Sequence, residues 1–298
     1  AIFIWTAWRS ASRQNYKAAL FLVVLIGLLL NVYMSSDLFL HPWDERYHAL
    51  VAKNMLSHPL KPTLFETPLL DYDYRMWSYN HIWLHKQPIP LWGIMSSLAV
   101  FGVNTIAVRI PSILLTSLGT VICFELGKNI FNRRVGLFSS FFFATNGLIL
   151  ELTSGRVATD HIDIFFLFFI LLAVYLAWRV AQQKSIILTI LCGICIGLAV
   201  LSKWLPALIV LPIWGAFVLR SKQFSFKEFI AYGSILVVSI LVIALPWQLY
   251  IYSEFPLEAA WESNFNKRHI FESLEVTPQP WYYHFTMLRI NYGELIYL

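Results

Sequence analysis

Charge-free stretches long enough to cross a bilayer recur along this chain, and they decide its class. Nineteen residues separate Lys17 from Asp37 without a charged side chain, and similar gaps run from Asp163 to Arg179, Lys184 to Lys203 and Glu228 to Glu254. A hydrocarbon core about 30 Å thick needs about 20 apolar residues of helix. Such runs lack the period-two alternation of barrel strands, so helices are the way to bond their backbone internally. Only 13% of residues are charged, against about 25% in soluble domains. The chain therefore reads as an all-α integral membrane protein.

Spans are expected at about 18–38, 106–127, 135–152, 162–178, 185–201, 205–219 and 229–246. The apolar stretch 89–103 is short for a span and reads as an interfacial helix. That choice places Lys128, Arg133 and Arg134 on the same side as Arg9, Arg13 and Lys17, which the positive-inside rule assigns to the cytoplasm. In this topology the inner face holds 11 Lys and Arg against two acids, Glu125 and Glu228, and all eight histidines lie outside. Chemistry is then expected at the outer face, in the segments 39–105 and 247–284. The tail from 285 begins another membrane or interfacial element.

Other features are less informative. The net charge of +5 reflects membrane orientation and points away from nucleic acid. Cys123, Cys192 and Cys195 all fall inside apolar runs and read as small hydrophobes. The first apolar run is too long for a cleaved signal peptide.

Directly after the first span comes His41-Pro42-Trp43-Asp44-Glu45-Arg46-Tyr47-His48. Two adjacent carboxylates at the mouth of a membrane helix suit proton transfer, cation binding or metal binding, and a solvated loop is the plain alternative. Arg156 and Asp160 are four apart, so on a helix they would share a face and form an ion pair. Asp163 near the outer end of a span must face water or the bundle interior.

In order along the chain stand Asp44-Glu45 with Tyr47, Lys86-Gln87-Pro88 with Pro90-Leu91-Trp92, Gly155-Arg156-Val157-Ala158-Thr159-Asp160, and Gly197 to Lys203 closing the fifth expected span. Pro246-Trp247 and Asn266 to His269 follow. This ordered set resembles the GT-C membrane glycosyltransferases, in particular the superfamily of protein O-mannosyltransferases and aminoarabinose lipid A transferases. Two positions depart from the family's pattern. His85-Lys86-Gln87-Pro88 stands where Glu-Lys-Pro-Pro is common, and Trp204 follows Lys203 where Gly is common.

The resemblance implies a polytopic GT-C-like bundle over residues 1–298 with juxtamembrane helices at its outer face, in a protein continuing beyond residue 298. It implies a polyprenyl-phosphate-dependent glycosyltransferase in the bacterial inner membrane. The donor would be a polyprenyl-phosphate sugar and the acceptor a lipid, glycan or protein, with inversion at the sugar carbon. A transporter or flippase of lipid-linked sugar is the alternative. Asp44 and Asp160 are the expected catalytic carboxylates, with Lys86, Lys203 and Arg268 on the donor phosphate. Glu45, Tyr47, Arg156, Asp163 and Trp92 are expected to support the site or bind substrate. His85, His269 and Glu45 have the ligand types for a divalent metal, with a hydrogen-bonding histidine as the default for His85. Trp43, Trp92, Trp204 and Trp247 suit interface anchoring, and sugar stacking is their second use.

Overall fold

The computed structural model describes residues 2–69, 71–272 and 280–292. Five of its helices are long and apolar enough to cross a membrane. These are α2 (Tyr16–Met34), α5 (Thr105–Ile130), α8 (Asp160–Gln183), α9 (Ile186–Lys203) and α11 (Phe226–Glu254). A bent pair, α6 (Arg133–Ala144) and α7 (Gly147–Thr153), passes the same length test as one broken span. The remaining helices are α1 (Ile2–Ser12), α3 (Asp44–Asn54), α4 (Pro88–Phe101), α10 (Val210–Ser221), α12 (Pro256–Phe271) and α13 (Tyr283–Tyr292). No sheet forms among the described residues; a single antiparallel bridge joins Thr63 and Ile82. The chain is an all-α, multi-pass membrane bundle.

Local sequence starts many of these helices. Asn15, Asn104, Asn132 and Asn146 accept backbone N–H bonds at the starts of α2, α5, α6 and α7, and Ser185 does so for α9. Ser225 and Glu228 form a reciprocal capping box on α11. Each cap satisfies donors that a helix end leaves free. Between helices, small residues permit close contact. A Cβ on Gly193 would come within 2.5 Å of Ser239 Cβ, and one on Gly197 within 2.7 Å of Ile243 Cβ. The two glycines lie one turn apart, so α9 and α11 meet along a small-residue seam, as packing in lipid favours.

Three expected spans differ from the observed helices. The stretch 135–152 bends by 52° between α6 and α7, where Thr145 ends one helix and Asn146 caps the next. The stretch 205–219 opens with a 3-10 turn at Leu205–Ile209 before α10, and it is too short to stand with the five long helices. Helix α11 continues through Pro246 to Glu254; a proline removes one hydrogen bond and need not end a well-packed helix. The expected interfacial stretch is the 14-residue helix α4. It packs on α3, α5, α8 and α9. The described part of the tail is α13.

Candidate active site

The polar stretch after α2 divides its two carboxylates between different environments. Trp43 takes a left-handed backbone (φ +68°), and α3 starts at Asp44. Neighbouring residues on a helix point about 100° apart. Glu45 turns into the core, 1% exposed, while Asp44 stays half-buried. Both sit in the first helical turn, where the N-terminal dipole favours negative charge.

Glu45 meets a complete set of donors. Arg109 Nε lies 2.7 Å from Oε1 and Nη2 lies 3.0 Å from Oε2. The His41 amide donates at 2.5 Å, and His161 Nε2 lies 3.5 Å away. Arg109 spends its remaining donors on the carbonyls of Ser35, Asp37 and Phe39. One buried arginine therefore ties the chain leaving α2 to the start of α3. Burial pushes the Glu45 carboxyl upward, but His161 and the Arg109 guanidinium outweigh it and hold the group below the usual carboxylate range. The backbone at Gly155 (φ +76°) runs directly beneath; a Cβ there would come within 2.5 Å of the Glu45 carboxyl group.

The segment 155–163 closes on this turn. The expected helical pair of Arg156 and Asp160 does not form, because α8 begins only at Asp160 and Arg156 lies in the preceding turn. Arg156 instead reaches Asp37 at 2.6 Å and the carbonyl of Met34 at 3.1 Å. The Thr159 amide donates to Asp44 Oδ2 at 2.7 Å. One residue on, Asp160 is fully buried and lies 2.8 Å from His48 Nδ1. His161 Nδ1 pairs with Ser112 Oγ at 2.8 Å. The starts of α3 and α8 are thus stapled by two neighbouring bonds, Asp44 to Thr159 and His48 to Asp160. Asp160, expected as a second catalytic carboxylate, is buried against His48 and does not line the cavity that Asp44 faces.

Asp44 opens onto a cavity of about 960 Å³ formed by the α3 start, the 85–87 segment, the start of α8, the end of α9 and α12. Lys86, Lys203 and Lys267 bring three cations to its wall, with His85 beside them. Lys203 is held by Asp163, which also accepts from the Thr159 hydroxyl. Lys86 has no charge partner among the described residues. Three residues on the wall, Trp43, Thr159 and Trp204, have φ between +64° and +68°. Such backbone costs about 1–3 kcal/mol per residue and tends to gather at functional sites. A second cavity of about 630 Å³ between α10 and α11 is lined by apolar residues and Ser234.

Other expected residues fall elsewhere. Arg268, expected on the phosphate, is exposed and bonds Glu272 at 2.8 Å; its neighbour Lys267 faces the cavity. Trp92 donates to the Pro59 carbonyl and packs edge-on against Trp247, so both serve the core. Trp43 and Trp204 line the cavity. Tyr47 packs between Trp77 and Trp83. No group of three metal-ligating side chains occurs among the described residues. Glu45 is committed to Arg109, and the His269 side chain lies outside the described residues. Arg109, His48 and His161 were missed as partners of the acidic motifs. A buried arginine at a span's start was the one visible signal, since a charge there needs a partner.

The sequence pattern of the family described as dolichyl-phosphate-mannose-protein mannosyltransferase matches residues 85–249. An undecaprenyl phosphate-alpha-4-amino-4-deoxy-L-arabinose arabinosyl transferase of Pseudomonas aeruginosa (strain LESB58) is 26% identical over 293 residues, covering 91% of this chain and 47% of the relative. A second protein of that description, from Pseudomonas fluorescens (strain Pf0-1), is 24% identical over 291 residues, covering 90% and 47%. The chain spans about half the length of these curated relatives. Among solved structures, the oligosaccharyltransferase of Archaeoglobus fulgidus, in complex with an inhibitory peptide and a dolichol-phosphate, superposes with a TM-score of 0.54 at 16% identity. That match covers 94% of this chain and 37% of the archaeal one, and it shows a shared fold.

Proposed function

The chain belongs to the dolichyl-phosphate-mannose-protein mannosyltransferase family, and from that premise we propose that it transfers a sugar from a polyprenyl-phosphate carrier to an acceptor hydroxyl in the cavity beside Asp44. One observation carries this reading: a half-buried carboxylate and three lysines share one cavity at the end of a membrane bundle. The similarity to undecaprenyl phosphate-aminoarabinose arabinosyl transferases supports it.

In this scheme the acceptor oxygen attacks the sugar carbon while the bond from that carbon to the phosphate oxygen breaks. The acceptor proton passes to Asp44, and the polyprenyl phosphate leaves with its bonding electron pair. A single displacement inverts the anomeric centre. Thr159 occupies Oδ2 of Asp44 and fixes the plane of the carboxylate, and Oδ1 has no partner among the described residues. Lys86, with Lys203 and Lys267, stabilises the charge growing on the leaving phosphate. Asp163 sets the direction of Lys203. Asp160 acts through His48 as a positioning residue for the turn that carries Asp44. The acceptor is a lipid, glycan or protein hydroxyl.

The basic bias of the connectors supports an inner-membrane orientation with the N-terminus cytoplasmic and the cavity outside. A carrier-lipid transporter would call for charge within its spans, and the interiors of α2, α8, α9 and α11 carry none. The test is transfer from a polyprenyl-phosphate sugar by the full-length protein, with the product anomer determined. A D44N protein that folds and turns over like wild type removes Asp44 from the scheme, and retained configuration rejects single displacement.

A further inference from the structure

Glu262 is a carboxylate that the scheme above leaves unused. It sits on α12 at 6% exposure, and its Oε2 has no hydrogen-bond partner. Its Oε1 lies 3.6 Å from His85 Nδ1, an ion-pair distance beyond hydrogen-bond range. No other basic side chain pairs with it among the described residues. A buried carboxylate is tolerated when a positive charge or a proton answers it, and His85 is the group in place.

The same histidine faces the cavity. Its ring stacks on Trp77, with centroids 5.4 Å apart and planes 18° apart, and Trp83 and Phe265 flank it. These contacts fix the ring, and Glu262 takes the Nδ1 edge, so Nε2 is the nitrogen left for a ligand. His85 precedes Lys86 directly, and both line the cavity.

We propose that His85, oriented by Glu262, is a protonatable phosphate-binding group, so that the carrier phosphate is gripped by Lys86 together with an imidazolium. This rests on the reading of the cavity as a polyprenyl-phosphate site. The other charged groups on the cavity wall are Asp44 from α3, Lys203 from α9 (with Asp163 of α8 behind it) and Lys267 from α12. One turn before Glu262, Glu258 accepts from the Tyr72 hydroxyl, and the His81 ring lies 5.0 Å from Tyr72. Histidine changes charge between about pH 5 and 8. The imidazolium strengthens phosphate binding at the acid end of that range and its contribution is lost as pH rises. Glu262 is a positioning residue whose effect passes through His85.

The experiment measures the Kd of the full-length protein for undecaprenyl monophosphate at about pH 5.5 and about pH 8. The phosphate's own ionisation affects every variant alike, so each ratio is read against H85K, whose charge persists across the range. Wild type weakens about tenfold more than H85K on going to the higher pH. H85Q binds weakly at both pH values with no excess over H85K, and E262Q loses most of the wild-type excess while keeping the imidazole. An excess that survives in H85Q, or a wild type that tracks H85K, overturns the proposal and leaves the cavity reading standing. Absence of binding by wild type at both pH values overturns the cavity reading and this proposal with it.

Discussion

Arg109 holds Glu45 in a two-point grip, 2.7 Å and 3.0 Å, at a place where neither side chain meets solvent. The same guanidinium caps three carbonyls of the chain leaving α2. The pair therefore sets how α3, and with it Asp44, stands relative to the bundle.

Removing one partner leaves a buried charge uncompensated, at a cost of about 3–5 kcal/mol. R109M should lower the thermal midpoint of the purified protein in detergent steeply. The double variant R109M/E45Q should regain part of the loss, because no bare charge remains. A double variant that unfolds earlier than R109M would reject the pairing argument.

The grip also gives an acid dependence. Glu45 is held below its usual value of 4.5, so the folded state binds its proton less readily than the unfolded chain does. The stability this contributes is complete above pH 4.5 and is lost as pH falls through the lower folded value. Thermal midpoints of wild type and E45Q, followed downward from that pH, should converge. Parallel curves would show that Glu45 does not titrate across this window.

Gly155 is required twice, by its positive φ and by the Glu45 carboxyl above it. G155A should cost about 1–3 kcal/mol from overpacking alone, with a further backbone penalty. Circular dichroism melts of G155A against wild type check this, and an unchanged midpoint would reject the crowding argument.

Asp44 and Asp160 should part company in assays. D44N should lower turnover about 10²–10⁴-fold with little change in donor affinity or thermal midpoint, since the amide oxygen still accepts from Thr159. D160N should lower the midpoint as well as the turnover, because His48 loses a buried anionic partner. Equal stability of D160N and wild type would return Asp160 to the list of candidate catalytic groups.

Lys86 carries no internal partner among the described residues, whereas Lys203 already holds Asp163. A charge-assisted bond to phosphate is worth about 1.5–3 kcal/mol. K86M should therefore weaken polyprenyl-phosphate binding about tenfold to a hundredfold. K203M should show a smaller loss that D163N partly mimics. Titration of donor affinity in the three variants checks the order.

The class of this protein was legible in sequence because bilayer crossing is a local demand: enough consecutive apolar residues and no charge between Lys17 and Asp37, or between Lys184 and Lys203, settle it. The caps at Asn104, Asn132 and Ser225 are equally local, each bonding its own next turn, but the expected spans follow apolar content and begin two to four residues after them. The break at Thr145–Asn146 and the continuation of α11 past Pro246 depend on what surrounds those residues, and apolar content alone does not report it. At the cavity, two adjacent carboxylates directly after a span drew attention to Asp44, and the resemblance to the GT-C glycosyltransferases pointed to Lys86 and Lys203. Which carboxylate turns inward, that Arg156 answers Asp37, and that His48 and Glu262 find Asp160 and His85 were decided by tertiary structure. Those pairings join positions far apart in the chain, and a charge shows in sequence only that it needs a partner, while packing decides which one it meets.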